Sequence, residues 1–239
     1  MGKTEMSVHG VTWATFDCYG TLIDWEGGMG AFLYSIAQRS GDEAPRPGPI
    51  LREEWETIQF DVIQGPYKSY KQVLSESVRA WCDVRGYPYI EAYDDAAVAS
   101  MRAFQPFHDT RPALLRVQAA GMQLAIISNI DHDILAHSLN HMQIEFDEVI
   151  TAEDCRAYKP DHSVFEKALD QIGVPAQEML HVAFGFKYDI GPAKQFGWET
   201  AWVNRNAEAL TGSSTPDHIW SDLWGLAAFA GSPYEGATP

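Results

Sequence analysis

A chain of 239 residues, 46% hydrophobic and 21% charged, falls in the ordinary globular range and can bury one large core or a core with a smaller companion. No run approaches the roughly 20 apolar residues of a membrane helix, and the opening MGKTEMSVHG lacks the apolar stretch of a secretory signal, so a cytoplasmic location is expected. A formal net charge of −16 opposes attraction to phosphate backbones and anionic lipid; neither nucleic acid nor a membrane is an expected partner, and an anionic substrate must be held by local donors.

Residues 11–16 form a short apolar, β-branched and aromatic run that stops at Asp17 and Gly20, the pattern of a buried strand running into a loop. From residue 27 to residue 101 the rhythm changes to helical stretches rich in aromatics, among them Trp55, Phe60, Tyr67, Tyr70 and Trp81, with residues 41–49 and their three prolines as the nearest thing to a linker. The chain resumes near Phe107 with a helix over 110–120, a strand over 122–127 ending at Ser128 and Asn129, and a helix over 131–142. A strand over 148–151, a helix over 163–172, a strand over 179–184, a helix over 191–196 and a strand over 200–203 follow. No internal repeat is present, and the tail from Gly231 is expected to fray.

This alternation implies an α/β fold, a doubly wound parallel sheet with helices on both faces. Residues 1–26 and 102–239 are expected to form the core domain and residues 27–101 a helical cap subdomain. Ligands of such sheets bind at the carboxyl ends of the strands, where a helical lid excludes water.

Polar residues gather at those ends: Asp17, Tyr19 and Thr21 after the first strand, Ser128 and Asn129 after the second, Lys159 after the third, and Asp189 just beyond the fourth. Two carboxylates and an ammonium converging on one crevice suit nucleophilic catalysis, because a carboxylate can attack an electrophilic centre while a nearby cation keeps it ionised despite burial.

F-D-x-Y-G-T-L at 16–22, S-N at 128–129, Y-K-P at 158–160 and K-Y-D at 187–189, in that order and spacing, resemble the four motifs of the haloacid dehalogenase superfamily over about residues 12–205. Tyr19 and the A-W-V-N-R segment ending at Arg205 are most similar to the L-2-haloacid dehalogenase (type II) branch. The resemblance implies a haloacid-dehalogenase-like core, no cofactor, a small carboxylate substrate and a homodimer. It also implies the catalytic roles. Asp17 attacks the carbon bearing the leaving group and forms an ester; water activated near Asp189 then cleaves that ester at the Asp17 carboxyl carbon, and Lys159 neutralises the acidic pair. Thr21 and Ser128 hydrogen-bond the Asp17 carboxylate or the substrate, and backbone N–H groups near Cys18, Ser128 and Asn129 cradle the substrate carboxylate. With Tyr19, these residues form the substrate-binding set at the strand ends.

The magnesium-dependent phosphatases of the superfamily carry a second aspartate two positions after the nucleophile, where this chain has Tyr19, and a glycine-aspartate pair where it has Phe184 and Gly185. A phenol of pKa about 10 is a poor replacement for a carboxylic acid, and a hard divalent cation needs oxygen ligands. No metal site is therefore expected, and attack on carbon is favoured over phosphoryl transfer. The chain also departs from the dehalogenases. Phe184, Gly185, Phe186 and Lys187, with one inserted residue, replace their serine and asparagine around the final acid, and Phe165 replaces a tyrosine. Aligned on Trp55, their lid arginine becomes Glu56, with Arg52 one helical turn away.

A glutamate at the leaving-group end repels an anion and welcomes a cation. An alternative is hydrolytic opening of a strained cyclic amino acid such as L-azetidine-2-carboxylate, the departing ring amine being stabilised by Glu56, Phe60, Tyr67 and Trp81 through charge and cation–π contact. Phe184 and Lys187 complete the expected substrate-contacting set. Further alternatives are a magnesium-dependent phosphatase and a noncatalytic binding protein that keeps the fold. Asp189 also suits a helix cap, and His132, His137 and His141 read as a solvated helix face rather than metal ligands. Cys18, Cys82 and Cys155 lack C-x-x-C spacing and read as reduced thiols.

Overall fold

The computed structural model describes residues 10–210 and 214–231; the tail beyond Gly231, expected to fray, lies outside them. Six strands form one parallel sheet: β1 (Trp13–Phe16), β2 (Gln123–Ser128), β3 (Glu148–Thr151), β4 (Met179–Ala183), β5 (Glu199–Val203) and β6 (His218–Trp220), in the order β3-β2-β1-β4-β5-β6. The helices are α1 (Trp25–Arg39), α2 (Gly48–Ile63), α3 (Tyr70–Arg85), α4 (Ala92–Ala103), α5 (Thr110–Ala119), α6 (His132–Met142), α7 (Ala152–Cys155), α8 (His162–Ile172), α9 (Gly191–Gln195) and α10 (Trp224–Phe229). The five expected strands are present within two residues of their expected bounds. β6 was not foreseen, because His218-Ile219-Trp220 is an edge strand with no apolar run and Ile219 is 55% exposed.

Every residue of β1 is buried, as a central strand covered on both faces requires. Alternate residues serve opposite faces. Ala14, Phe16, Leu124, Ile126, Leu180 and Val182 join the cluster that continues into the helical layer through Trp55, Val73 and Trp81. Trp13, Ala125, Ile127 and Met179 pack on the other face against Val164, Phe165 and Trp198.

Pairing of Phe16 with both Ile126 and Val182 brings three strand ends level. After β1 the chain lays β2 and β3 to one side and β4, β5 and β6 to the other, so the winding reverses around β1. A doubly wound sheet leaves its binding crevice at that reversal.

Helices α1 to α4 pack on one another over this edge, and α4 also packs on α6. Gly30 and Gly48 mark where α1 meets the start of α2: a Cβ on either would lie 2.9–3.0 Å from the other's backbone. α3 starts with a capping box, Ser69 accepting from Gln72 N–H and the Gln72 side chain accepting from Ser69 N–H, and ends at left-handed Gly86. No helix among the described residues is long and apolar enough to cross a membrane.

Candidate active site

Asp17 follows β1 directly, and its N–H donates to the Val182 carbonyl at 3.2 Å, so the chain is still held to β4 as it leaves the sheet. Its carboxylate accepts from Lys159 Nζ at 3.0 Å on Oδ1 and from Thr21 Oγ1 at 3.0 Å on Oδ2. Lys159 Nζ also donates to Asp189 Oδ1 at 2.6 Å and to the Ile127 carbonyl at 2.7 Å. Three acceptors thus use all three donors of an ammonium that is only 1% exposed. Asp189 Oδ1 accepts a second bond, from His181 Nε2 at 3.0 Å, and the other ring nitrogen of His181 lies 2.8 Å from Thr15 Oγ1. His181 escaped the sequence reading; its one signal was a lone polar residue in the apolar run of β4.

The two carboxylates are electrostatically unequal. Burial, the largest influence, raises the Asp17 pKa above the usual carboxylate value, with Lys159 pulling down and Asp189 pushing up. Burial would also raise Asp189, but Lys159 and His181 outweigh it and hold that carboxyl below its usual value. Burial would lower Lys159, but Asp17 and Asp189 outweigh it and keep the ammonium above the ordinary lysine value. Asp189 is therefore the stronger acid, and Asp17, the more basic oxygen, is the better suited to attack.

A second ring of contacts fixes these groups. Asn129 Oδ1 accepts from Lys159 N–H at 2.7 Å while its Nδ2 donates to the Lys159 carbonyl at 2.9 Å. That side chain is committed to the lysine peptide, while the group expected on the substrate is the backbone N–H beside it. Thr21 Oγ1 accepts from Phe184 N–H at 2.8 Å, tying the loop after β1 to the end of β4. Arg205 pins the same loop, donating to the Thr21 carbonyl at 2.8 Å and to both oxygens of Asp109 at 3.1 Å. Cys18 and Thr21 are fully buried and stand behind Asp17, and the Cys18 thiol is pushed well up by burial and then by Asp17. The Tyr19 hydroxyl shares a hydrogen bond with Ser138 Oγ at 2.9 Å although the residue lines the crevice. Ser128 Oγ is buried with no hydrogen-bond partner among the described residues.

Above these groups opens a crevice of about 850 Å³. Of the residues singled out from the sequence, Asp17, Tyr19, Ser128, Asn129, Lys159, Phe184, Lys187 and Asp189 line it from the core, and Glu56 and Phe60 from α2. Tyr67 and Trp81 do not. Tyr67 stacks on Tyr158 at 5.6 Å with Arg156 4.4 Å over its ring, and Trp81 is fully buried against Tyr87 at 5.5 Å; both serve packing. Trp25, Trp55, Gln59, Tyr70, Tyr188 and Trp202 line the crevice without having been foreseen there.

At its outer end Lys187 Nζ sits 3.2 Å from the Phe60 ring centroid. Arg52 is already engaged, with Glu26 at 2.7 Å and Glu56 at 2.6 Å. Burial raises the Glu56 pKa in spite of Arg52.

Phe186–Ile190 forms a single π turn, with Ile190 N–H reaching back to the Gly185 carbonyl at 3.3 Å. A π turn houses one residue more than an α turn, so it has room for the inserted residue expected in this segment. Gly185 completes the fit, because a Cβ there would lie 2.6 Å from Asp189 Oδ2.

The donor set does not suit a divalent metal. The space between the two carboxylates holds the Lys159 ammonium, the position two beyond Asp17 offers a phenol bonded to Ser138, and Gly185 offers no side-chain oxygen. Among the described residues no group of three His, Cys, Asp or Glu is placed to hold a metal ion.

Comparison with known proteins identifies the family. Residues 16–203 match the family described as "Haloacid dehalogenase-like hydrolase". The (S)-2-haloacid dehalogenase H-109 of Pseudomonas putida is 28% identical over 216 residues, covering 87% of this chain and 92% of the relative. Another (S)-2-haloacid dehalogenase of Pseudomonas putida is 26% identical over 216 residues, covering 87% and 91%. The crystal structure of an L-2-haloacid dehalogenase superposes with a TM-score of 0.79 at 25% identity, covering 92% of this chain and 99% of that one.

Proposed function

Because the chain belongs to the haloacid dehalogenase-like hydrolase family, we propose that it displaces a leaving group from the carbon next to a substrate carboxylate, with Asp17 as nucleophile and a small 2-haloacid as substrate. The observation that carries this reading is the Lys159 ammonium held between Asp17 at 3.0 Å and Asp189 at 2.6 Å. It keeps a buried nucleophile ionised without a metal and sets a second carboxylate beside it as base. The names of the relatives support the substrate class.

In the first step an Asp17 oxygen bonds the substrate carbon and the leaving group departs with the bonding electrons. In the second, water attacks the Asp17 carboxyl carbon, Asp189 takes its proton, and the substrate leaves as a 2-hydroxyacid. Ser128, whose hydroxyl has no partner among the described residues, and the backbone beside it hold the substrate carboxylate. Residues 27–101 act as the cap that excludes water. A cytoplasmic homodimer without cofactor belongs to the same proposal; the three unpaired cysteines support a reducing compartment.

A second reading shares the nucleophile but changes the leaving group. Arg52 is paired with Glu26 at 2.7 Å and Glu56 at 2.6 Å, so among the described residues it offers a departing halide no free guanidinium, whereas Glu56, whose pKa burial raises, is suited to hand a proton to a departing amine. That favours opening of L-azetidine-2-carboxylate. Incubation with L-2-chloropropionate and with L-azetidine-2-carboxylate, each in EDTA and with Asp17→Asn as control, decides. Chloride release or ring opening lost in the variant is expected; turnover of neither compound, or equal turnover by Asp17→Asn, contradicts the proposal.

A further inference from the structure

His181 lies inside β4, fully buried, with no route to substrate. Its ring is packed edge-on against Phe165 at 6.0 Å and Trp198 at 5.9 Å, and both nitrogens are used. Asp189 is an ionised carboxylate that can only accept, so the proton lies on Nε2 and is donated to Asp189 Oδ1 at 3.0 Å. Nδ1 then accepts from the Thr15 hydroxyl at 2.8 Å, a shorter contact than the 3.4 Å from that hydroxyl to the Leu180 carbonyl. Thr15 and His181 are register partners across β1 and β4, so the sheet itself sets the ring.

Both donors to Asp189, Lys159 at 2.6 Å and His181 at 3.0 Å, fall on Oδ1. Oδ2 is left on the side of Gly185, which lines the crevice and has no side chain to cover it. Lys159 alone cannot fix the carboxylate plane, because it is shared with Asp17 and the Ile127 carbonyl. A second donor from a different direction removes the remaining rotation.

We propose that His181 is a positioning residue for the hydrolytic half of the reaction, anchoring Asp189 Oδ1 so that Oδ2 faces the water that attacks the Asp17 ester. This rests on the ester mechanism above. In that step the water oxygen bonds the Asp17 carboxyl carbon and its proton passes to Asp189 Oδ2. The bond from that carbon to the substrate oxygen breaks, and the departing alkoxide takes the proton back. Ester formation needs Asp17, Lys159 and Thr21 but not the orientation of Asp189, so loss of His181 strikes the second step.

The test uses the full chain with L-2-chloropropionate and L-azetidine-2-carboxylate as probes. His181→Phe keeps a ring of similar shape and deletes both hydrogen bonds. Expected are kcat and KM lowered together about tenfold or more with kcat/KM retained, and mass spectrometry showing the Asp17 peptide carrying the substrate as an ester-linked carboxyalkyl group; His181→Gln, which restores an N–H donor, recovers part of kcat. Thr15→Val, a smaller change that frees the ring, shifts the balance the same way if His181→Phe does not fold. The ¹⁵N-histidine spectrum of the unmodified chain should show His181 protonated on Nε2, whatever the substrate. An Nδ1–H tautomer, or a fall in kcat/KM equal to that in kcat with no trapped ester, overturns the proposal. Asp189→Asn separates the two ideas: an ester trapped there but not in His181→Phe sinks this inference alone, whereas none in either variant sinks the ester mechanism.

Discussion

Asp17 is only 9% exposed where it meets the crevice, and its proton affinity follows from that burial. Burial raises its pKa more than Lys159 lowers it, so the nucleophile becomes protonated at a higher pH than an ordinary aspartate near 4. The active form is the anion; activity is therefore full at high pH and falls as pH drops through the raised Asp17 value. Lys159, held above the usual lysine value, stays charged across neutrality and imposes no alkaline limit there. A profile of log kcat/KM against pH should show an acid limb displaced above the usual aspartate range; a limb at or below pH 4 contradicts this electrostatic account. The groups in this profile were all legible as polar residues where apolar runs stop. His181 was not, because its partners Thr15 and Asp189 are brought to it by strand pairing and by the turn after β4, neither of which shows in the run M-L-H-V-A. The closing of the Asn129 amide on the Lys159 peptide was not legible either, since nothing local in S-N announces it.

At the scale of elements, the loop between β2 and α6 both builds the site and fastens the helices over it. Asp131 heads α6, yet its carboxylate reaches across to accept from Tyr70 N–H at 2.7 Å and Lys71 N–H at 3.1 Å at the start of α3. Asp133 adds ion pairs to Lys71 at 2.9 Å and Arg102 at 2.6 Å. Asp131 thus spends its carboxylate on the N-terminus of α3 rather than on that of α6, where its side chain makes no cap hydrogen bond. Asp131→Ala strips two N–H groups of a buried charged acceptor and should cost about 1–3 kcal/mol, lowering Tm by roughly 2–4 °C per kcal/mol for a chain of this size. An unchanged Tm in a thermal melt would show that the link carries no stability. Aromatic content was a poor guide to which helix face meets the crevice. Arg52, Glu56, Gln59 and Phe60 recur on α2 at helical spacing and line it, while the Trp81 face of α3 turns into the core. The π turn was legible only as one residue too many, because its wider hydrogen bonding depends on the tertiary need to aim Asp189 at Lys159.

Across the whole molecule, the sheet order and the charge act together. Reversal of the winding around β1 sets Asp17, Ser128 and Phe184 on one edge, and this much of the architecture follows from alternating runs and right-handed crossovers. β6 lay beyond that reasoning because an exposed edge strand carries no core signal. A net charge of −16 disfavours the approach of an anionic substrate, so capture depends on a few donors inside the crevice, with Lys159 saturated by Asp17, Asp189 and the Ile127 carbonyl. The central claim is that one carboxylate makes and breaks a bond to substrate. Its most direct test is a single turnover in H₂¹⁸O with enzyme in excess, followed by mass analysis of the peptide containing Asp17. The account predicts one ¹⁸O atom in the Asp17 carboxylate and an unlabelled hydroxyl in the product; label in the product with none in Asp17 would contradict it.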